Sequence, residues 1–366
     1  MTTGSTNGDV PARVLIVGSG LMGTSLGLAA RAAGCEVWLS DREPAHVETA
    51  ADMNAGVPYR EGERADLAVL AVPPYAVGAE LAAWQGRDAA VAYTDVASVK
   101  ARPRRDAAAL GCDLSTYAGG HPLAGRELSG PGAAVADLFL GRPWAVCPGD
   151  ARPGVVQAVL SLARAVGADP LLMTEDEHDV AVASVSHAPH TLASVMAAQL
   201  AAADTRLAGQ GVRDVTRVAD GDPRLWTSIL TGNAAAVADV LDAAGRDLAG
   251  AARALRAVAD GDAGAGAEVR RLLERGVAGR LALPGKHGGP TRAYAVVTVV
   301  LPDRPGQLAR LFRDADAAGV NVEDVALEHS PGAEIGVVEL SVRPESRDPL
   351  VTGLRKAGWD VAPVAG

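Results

Sequence analysis

The stretch R-V-L-I-V-G-S-G-L-M-G-T-S-L-G-L-A-A-R-A-A-G, Arg13 to Gly34, decides the fold. A short run of β-branched and apolar residues meets a glycine turn, and an Ala/Leu segment then continues until Gly34 stops it: strand, turn, helix. The pattern Gly18-x-Gly20-x-x-Gly23 alone is weak, because such a turn also serves plain strand–helix packing. Its context is more specific. It follows a strand, opens a helix, and leads to a second strand, Cys35 to Ser40, that ends on Asp41, close to the separation at which a dinucleotide-binding unit carries an acidic residue. Gly18 then permits the tight turn, Gly20 lets the backbone approach a pyrophosphate, and Gly23 lets helix and strand pack, with the helix N-terminus toward the phosphates. Leu21 and Met22 inside the turn, and Val72 at the end of a later apolar run, complete the expected cofactor wall. Asp41 would accept hydrogen bonds from the adenosine ribose and repel a 2′-phosphate, which argues for NAD over NADP. Arg42 beside it pulls the other way, since a guanidinium recruits that phosphate.

Working outward, apolar runs at Leu67 to Val72 and Ala90 to Thr94 alternate with helical segments. The pattern continues through Tyr117 to Gly119, Pro143 to Cys147 and about Pro170 to Met173. Alternating β and α with nearly continuous apolar strands predicts an α/β, Rossmann-type, doubly wound parallel sheet over residues 1–173. Beyond Met173 the strand signal stops. Residues 174–283 are rich in Ala, Val and Leu at helical spacing, predicting an all-helical domain that pairs with a copy of itself, hence a homodimer. The breakers of L-P-G-K-H-G-G-P mark a linker at 284–291. Residues 292–366 then read βαββαβ, a small ferredoxin-like domain.

Composition excludes several classes. The chain has 366 residues, 48% hydrophobic and 21% charged, with a mean hydropathy of +0.12; this is an ordinary globular balance and too mild for a membrane protein. A formal net charge of -10 would repel a phosphate backbone over most of the surface, so nucleic acid is not expected as a partner. Cys35, Cys112 and Cys147 are odd in number with no C-x-x-C spacing, so neither a disulfide framework nor a zinc cage is expected. The start is polar and Gly/Thr-rich without a signal-peptide pattern, and no run reaches membrane-spanning length, which points to the cytoplasm and away from a membrane. Lysine occurs only at Lys100, Lys286 and Lys356, which singles out Lys100.

Four segments carry candidate chemistry. His121, in A-G-G-H-P-L-A-G-R-E, follows a strand and lies between glycines and a proline, predicting a loop at the carboxyl edge of the sheet, where ligands of such sheets bind. A histidine there suits proton transfer at neutral pH; by itself it also reads as a surface residue. Ser98, in T-D-V-A-S-V-K, comes to the same edge, where its hydroxyl could reach His121, a substrate oxygen or the cofactor, or else cap a helix. Ser186-His187-Ala188-Pro189-His190 places Ser186 and His190 one helical turn apart, with a proline that kinks the helix. H-x-x-H lacks the glutamate and spacing of a zinc helix, so no metal is expected. Arg213-Asp214-Val215-Thr216-Arg217 follows the turn at Gly209 to Gly211; Arg217 suits a bidentate carboxylate clamp, with a surface salt bridge as the plainer role.

With these segments together, the chain resembles the prephenate dehydrogenase family, which includes arogenate and cyclohexadienyl dehydrogenases. G-S-G-L-M-G, D-V-A-S-V-K, G-G-H-P-L-A-G, V-S-H-A-P-H and R-D-V-T-R occur in that family's order and approximate spacing. The resemblance implies that His121 assists removal of the ring hydroxyl proton, with Ser98 beside it. It also implies that Ser186, His190, Arg213 and Arg217 belong to the substrate-binding wall. The glycine-rich turn departs from the family's usual G-G-G-F, reading G-Q-G-V with Gln210 and Val212. Arg126 stands where members of the family vary, so it does not decide between prephenate and arogenate. The tail, with L-P-D-R-P-G-Q-L and A-G-V-N-V, resembles an ACT domain, which implies an aromatic amino-acid effector near Gly306, Asn321 and Val322.

The implied reaction is NAD-dependent oxidative decarboxylation of prephenate, with arogenate as the alternative substrate. A β-hydroxyacid dehydrogenase is a rival of similar layout, but it needs a catalytic lysine in the helical domain, and Glu175 to Arg275 has none. A non-enzymatic, NAD-binding amino-acid sensor is a second rival, which would be expected to have lost the polar residues that persist here.

Overall fold

The computed structural model describes residues 10–125, 128–283, 294–329 and 335–362. Strand β1 (Arg13–Val17) forms from V-L-I-V, buried on both faces as a central parallel strand must be. Around it β2 (Glu36–Ser40), β3 (Val57–Pro58), β4 (Ala65–Leu70) and β5 (Ala90–Asp95) pair in parallel, in the order β3-β2-β1-β4-β5. The intervening helices are α1 (Leu21–Ala32), α2 (Pro44–Asp52) and α3 (Val77–Gly86), and α4 (Ala101–Ala109) follows β5. Alternate residues of β1 feed two cores: Val14 and Ile16 pack with Leu26 and Val37 on one face, Leu15 and Val17 with Trp38 and Leu81 on the other. Each such side chain contributes about 1.5–3 kcal/mol on burial. The order of strands reverses between β1 and β4, which opens a crevice at their carboxyl ends.

Past β5 the expected continuous parallel sheet is corrected. Strands β6 (Gly119–Pro122), β7 (Pro143–Cys147) and β8 (Asp169–Leu172) form a separate three-stranded sheet, with α5 (Pro153–Ala165) between β7 and β8. β6 runs antiparallel to β7, and β7 parallel to β8. A bridge from Tyr93 to Tyr117 joins β5 to the segment entering β6. Apolar periodicity identifies a strand but carries no direction, and the long connection from β6 to β7 permits either.

After β8 the chain is helical as expected: α6 (Glu175–Val182), α7 (Ala188–Gln199), α8 (Gln210–Arg217), α9 (Pro223–Gly232), α10 (Ala234–Ala259) and α11 (Gly266–Leu281). Thr174 and Glu177 form a reciprocal capping box that starts α6. Between α6 and α7, Ala183–His187 widens into one π turn, with the Ala188 N–H reaching back to Ala183. Pro189 has no N–H and crowds the preceding turn, which is the physical cause of the wider spacing.

The chain divides into two units, residues 1–246 and 247–366, with the division inside α10. In the second unit Arg275 of α11 pairs with Asp247 of α10 at 2.7 Å. Then β9 (Ala295–Pro302), α12 (Gln307–Ala317), β10 (Asp324–His329), β11 (Ile335–Val342), α13 (Arg347–Lys356) and β12 (Asp360–Val361) give the expected βαββαβ order. The sheet is antiparallel, β10-β11-β9-β12, around Val299, Leu311, Leu340 and Leu354. The linker expected at 284–291 lies outside the described residues.

Candidate active site

At the carboxyl ends of β1, β2 and β4 lies a cleft of about 560 Å³ lined by Gly18, Gly20, Asp41, Arg42 and Val72. Gly18 has φ +102°, and a Cβ there would collide with the Ala71 carbonyl; beside Gly20 a Cβ would meet open space. That open face leaves room for a ligand against the backbone. The first amides of α1 have no side-chain cap at Gly20, and the Ser19 hydroxyl is buried without a hydrogen-bond partner among the described residues. Such donors suit a phosphate. Asp41 accepts from the Ser19 amide at 2.6 Å and the Glu43 amide at 2.9 Å, which fixes its carboxylate at the end of β2. Gly23 packs against Gly18, and Leu21, Met22 and Ser98 are not among the residues lining the cleft. His46, Tyr75, Trp84 and Arg87 do line it and were missed; the Arg87 guanidinium lies 4.8 Å over the Trp84 ring.

His121 is corrected from a loop to the strand β6, paired with Ala145 of β7 and only 9% exposed. Glycines here signal close packing, because a Cβ on Gly120 would lie 2.5 Å from the Asp95 carbonyl oxygen. The His121 Nδ1 is 2.8 Å from His178 Nε2, and His178 Nδ1 is 2.8 Å from an Asp179 carboxylate oxygen. A carboxylate only accepts, so His178 donates from Nδ1 and its bare Nε2 accepts from His121 Nδ1–H. This leaves His121 Nε2 as a free proton acceptor. Asp179 is itself fixed, accepting the amide N–H groups of Lys100 at 2.8 Å and Ala101 at 3.0 Å, so it caps α4 from outside. Burial opposes the Asp179 charge, but the bonds from His178, Ala101 and Lys100 prevail and hold its carboxyl below the usual range. Burial, helped by His178, Lys100 and His187, holds His121 well below the usual histidine range, so the imidazole is neutral at physiological pH.

Beneath β6 lies a second buried network. The Lys100 ammonium pairs with the Asp95 carboxylate and donates to the Gly120 carbonyl at 2.6 Å. Asp95 also accepts from the Tyr117 hydroxyl at 2.6 Å. Ser98 makes no hydrogen bond to His121 among the described residues; His178 has the place expected for it. His178 and Asp179 had a legible signal, the T-E-D-E capping box that places them one turn into a helix, but their partner lies 57 residues away in sequence.

On the helical side, His187 is buried and its Nδ1 lies 3.2 Å from the Asn233 amide nitrogen, which also donates to the Asp179 carbonyl at 2.7 Å. Burial lowers His187 to about 4, against the Asp179 charge that raises it. His190 stacks on Trp226, ring centroids 3.5 Å apart and planes within 8°, and its Nδ1 is buried without a hydrogen-bond partner among the described residues. Ser186 is half-buried in the π turn. Arg213 and Arg217 are exposed on α8, and the backbone of Val218, next to Arg217, lies against the His190 ring. Arg126 lies outside the described residues. Among the described residues no cluster of His, Cys, Asp or Glu could hold a metal, and no helix is long and apolar enough to cross a membrane. In the small domain Asn321 and Val322 line a hollow of about 540 Å³ with Phe312, Asp316 and Val325; Gly306 does not, but starts α12 with φ +86°.

Residues 26–172 match the family model described as prephenate dehydrogenase, nucleotide-binding domain, and residues 174–271 that described as prephenate dehydrogenase, dimerization domain. The protein named probable prephenate dehydrogenase NovF, from Streptomyces niveus, is 40% identical over 354 residues, covering 94% of this chain and 98% of that protein. The cyclohexadienyl dehydrogenase of Zymomonas mobilis is 32% identical over 251 residues, 63% of this chain and 83% of that one. The crystal structure of the Aquifex aeolicus prephenate dehydrogenase, in complex with hydroxyphenyl propionate and NAD+, shares the fold. Its TM-score is 0.64 at 24% identity, over 73% of this chain and 97% of that chain.

Proposed function

The chain belongs to the prephenate dehydrogenase family, and from that premise we propose that it catalyses the NAD-dependent oxidative decarboxylation of prephenate to 4-hydroxyphenylpyruvate. The observation that carries this reading is the His121–His178–Asp179 chain, which leaves a neutral imidazole with Nε2 as acceptor. Prephenate has a hydroxyl on ring carbon 4 and a carboxylate on ring carbon 1. His121 Nε2 takes the hydroxyl proton as carbon 4 gives up its hydride and becomes a carbonyl carbon. The carbonyl so formed draws electrons from the bond to the ring carboxylate, carbon dioxide departs, and the proton on His121 returns to the phenolate oxygen. Gain of aromaticity drives the step, so the protein's work is to position the reactants and hold one proton. Asp179 sets the tautomer through His178 and stands one ring behind the transient positive charge.

NAD supplies the hydride acceptor when bound. Gly18, Gly20, the uncapped start of α1 and Ser19 suit its pyrophosphate, and Asp41 suits the adenosine ribose. His190, stacked on Trp226, would donate its Nδ1–H to a substrate carboxylate beside Ser186, with Arg217 and Arg213 on the same wall and Ser98 near the reacting atoms. The functional unit is a homodimer, supported by exposed Leu248 and Leu255 on α10 and Leu273 and Val277 on α11. Residues 1–173, 174–283 and 292–366 are the cofactor, dimerisation and regulatory parts. An aromatic amino acid, tyrosine or phenylalanine, binds at the Asn321 hollow. Three free cysteines suit a reducing cytoplasm.

The deciding experiment follows NADH formation by the purified chain with NAD and either prephenate or arogenate. Prephenate turnover is expected. Turnover of arogenate alone would replace the substrate while leaving the hydride chemistry, and no NADH with either would overturn the reading.

A further inference from the structure

We propose that Lys100 is a positioning residue for this reaction: its buried ammonium pins the peptide that carries His121 and, as a cation beside the base, keeps that imidazole neutral and able to accept a proton. Lys100 is 1% exposed, and it is one of three lysines in the chain. Its Nζ bonds the Gly120 carbonyl at 2.6 Å, one peptide before His121. Its stem runs under the glycine pair so closely that a Cβ on Gly119 would lie 3.2 Å from Lys100 Cδ. Burying an ion pair is costly, and apolar residues of similar volume often hold a fold as well. A charge kept here therefore has an electrostatic duty.

His178 on α6 bonds the His121 ring, and His187 on the π turn and Lys100 on the turn after β5 are the other titratable groups whose charge acts on it. Two carboxylates stand one group further off, Asp179 behind His178 and Asp95 behind Lys100. The Asp95 charge is already spread over the Tyr117 hydroxyl and the Ala97 and Gly120 amides as well as the ammonium. Lys100 therefore acts on the neighbouring imidazole as a cation only partly offset.

The proposal rests on His121 as the base, so three variants are compared by the pH dependence of kcat/KM for the full chain. Lys100→Gln keeps an N–H for Gly120 and Asp95 but removes the charge. Its acid limb is expected to move up by about one pH unit, the usual effect of one nearby charge. Asp95→Asn/Lys100→Gln removes both charges of this pair and should shift the same way by less. His121→Asn should abolish the limb. If it does, and the limb stays in place in folded Lys100→Gln or in the double variant, only the role of Lys100 is overturned. If His121→Asn keeps the limb, the base assignment falls and this proposal with it. A double variant that cannot fold, as judged by circular dichroism, would assign the pair to stability and also overturn the proposal.

Discussion

His121 and its two partners form a directed chain, and each member has a distinct expected effect. His121→Asn keeps a polar side chain but removes the base, so kcat should fall by roughly two to four orders of magnitude while KM changes little. Arg217→Ala should act chiefly on KM. Asp179→Asn offers His178 an amide in place of the charge, loosening the tautomer that leaves His121 Nε2 bare, and kcat should fall by roughly 10²-fold or more. The sign of the pH effect follows from burial. A histidine held below the ordinary range stays neutral on acidification, so activity should be flat through neutrality and fall only below about pH 6.5. A limb centred at or above neutral pH would contradict this. At the cofactor end, Asp41→Ala should narrow the preference for NAD over NADP, because Arg42, His46 and Arg87 already line the same cleft. Equal kcat/KM for both cofactors before mutation would refute that assignment.

Strand β6 shows how an element too short to be stable alone is held by what surrounds it. Four residues, G-G-H-P, are fastened by the β7 ladder on one side and by Asp95 and Lys100 beneath. Gly120→Ala would set a methyl group 2.5 Å from the Asp95 carbonyl oxygen and 2.9 Å from Thr94 Oγ1, neither of which can yield without moving β5. Overpacking of this kind costs about 1–3 kcal/mol, read as a lowered thermal midpoint, and it should also displace His121 and reduce kcat. An unchanged melting curve would show that β6 has slack. The π turn is a second such element: one proline changes the helical spacing just before His190, so a helical wheel misplaces Ser186 relative to it.

For the molecule as a whole, the buried histidines make acid a destabilising condition. His187 takes up its proton near 6.5 when unfolded and near 4 when folded, so between these values the unfolded chain binds more protons. Its contribution is present above pH 6.5 and lost on acidification, amounting to about 3 kcal/mol by pH 4. His121 adds to this in the same direction, and so does Asp179, whose lowered carboxyl favours the folded state only while ionised. Urea midpoints should therefore fall steadily from pH 7 to pH 4.5. A constant midpoint over that range would mean these groups are reached by water. The proposed effector hollow at Asn321 is tested on the full chain: calorimetry with tyrosine and phenylalanine should show binding that Asn321→Ala removes.

From Arg13 to Asp41 the sequence by itself determined a strand, a glycine turn and a helix, because glycine spacing and apolar runs are local constraints. The same holds for the switch to helices after Met173 and for the βαββαβ tail, where periodicity changes within each segment. His121, His190 and Arg217 were legible as polar residues in unusual local settings. What only the tertiary structure decided was the partner set. The strand identity and direction of β6, the His178–Asp179 pair behind His121, the buried Lys100–Asp95 pair and the Trp226 face under His190 join residues tens of positions apart. A buried charge or a bare ring nitrogen acquires its meaning from what the fold brings within about 3 Å of it, and hydrogen bonds of that length leave no trace in the spacing of residues along the chain.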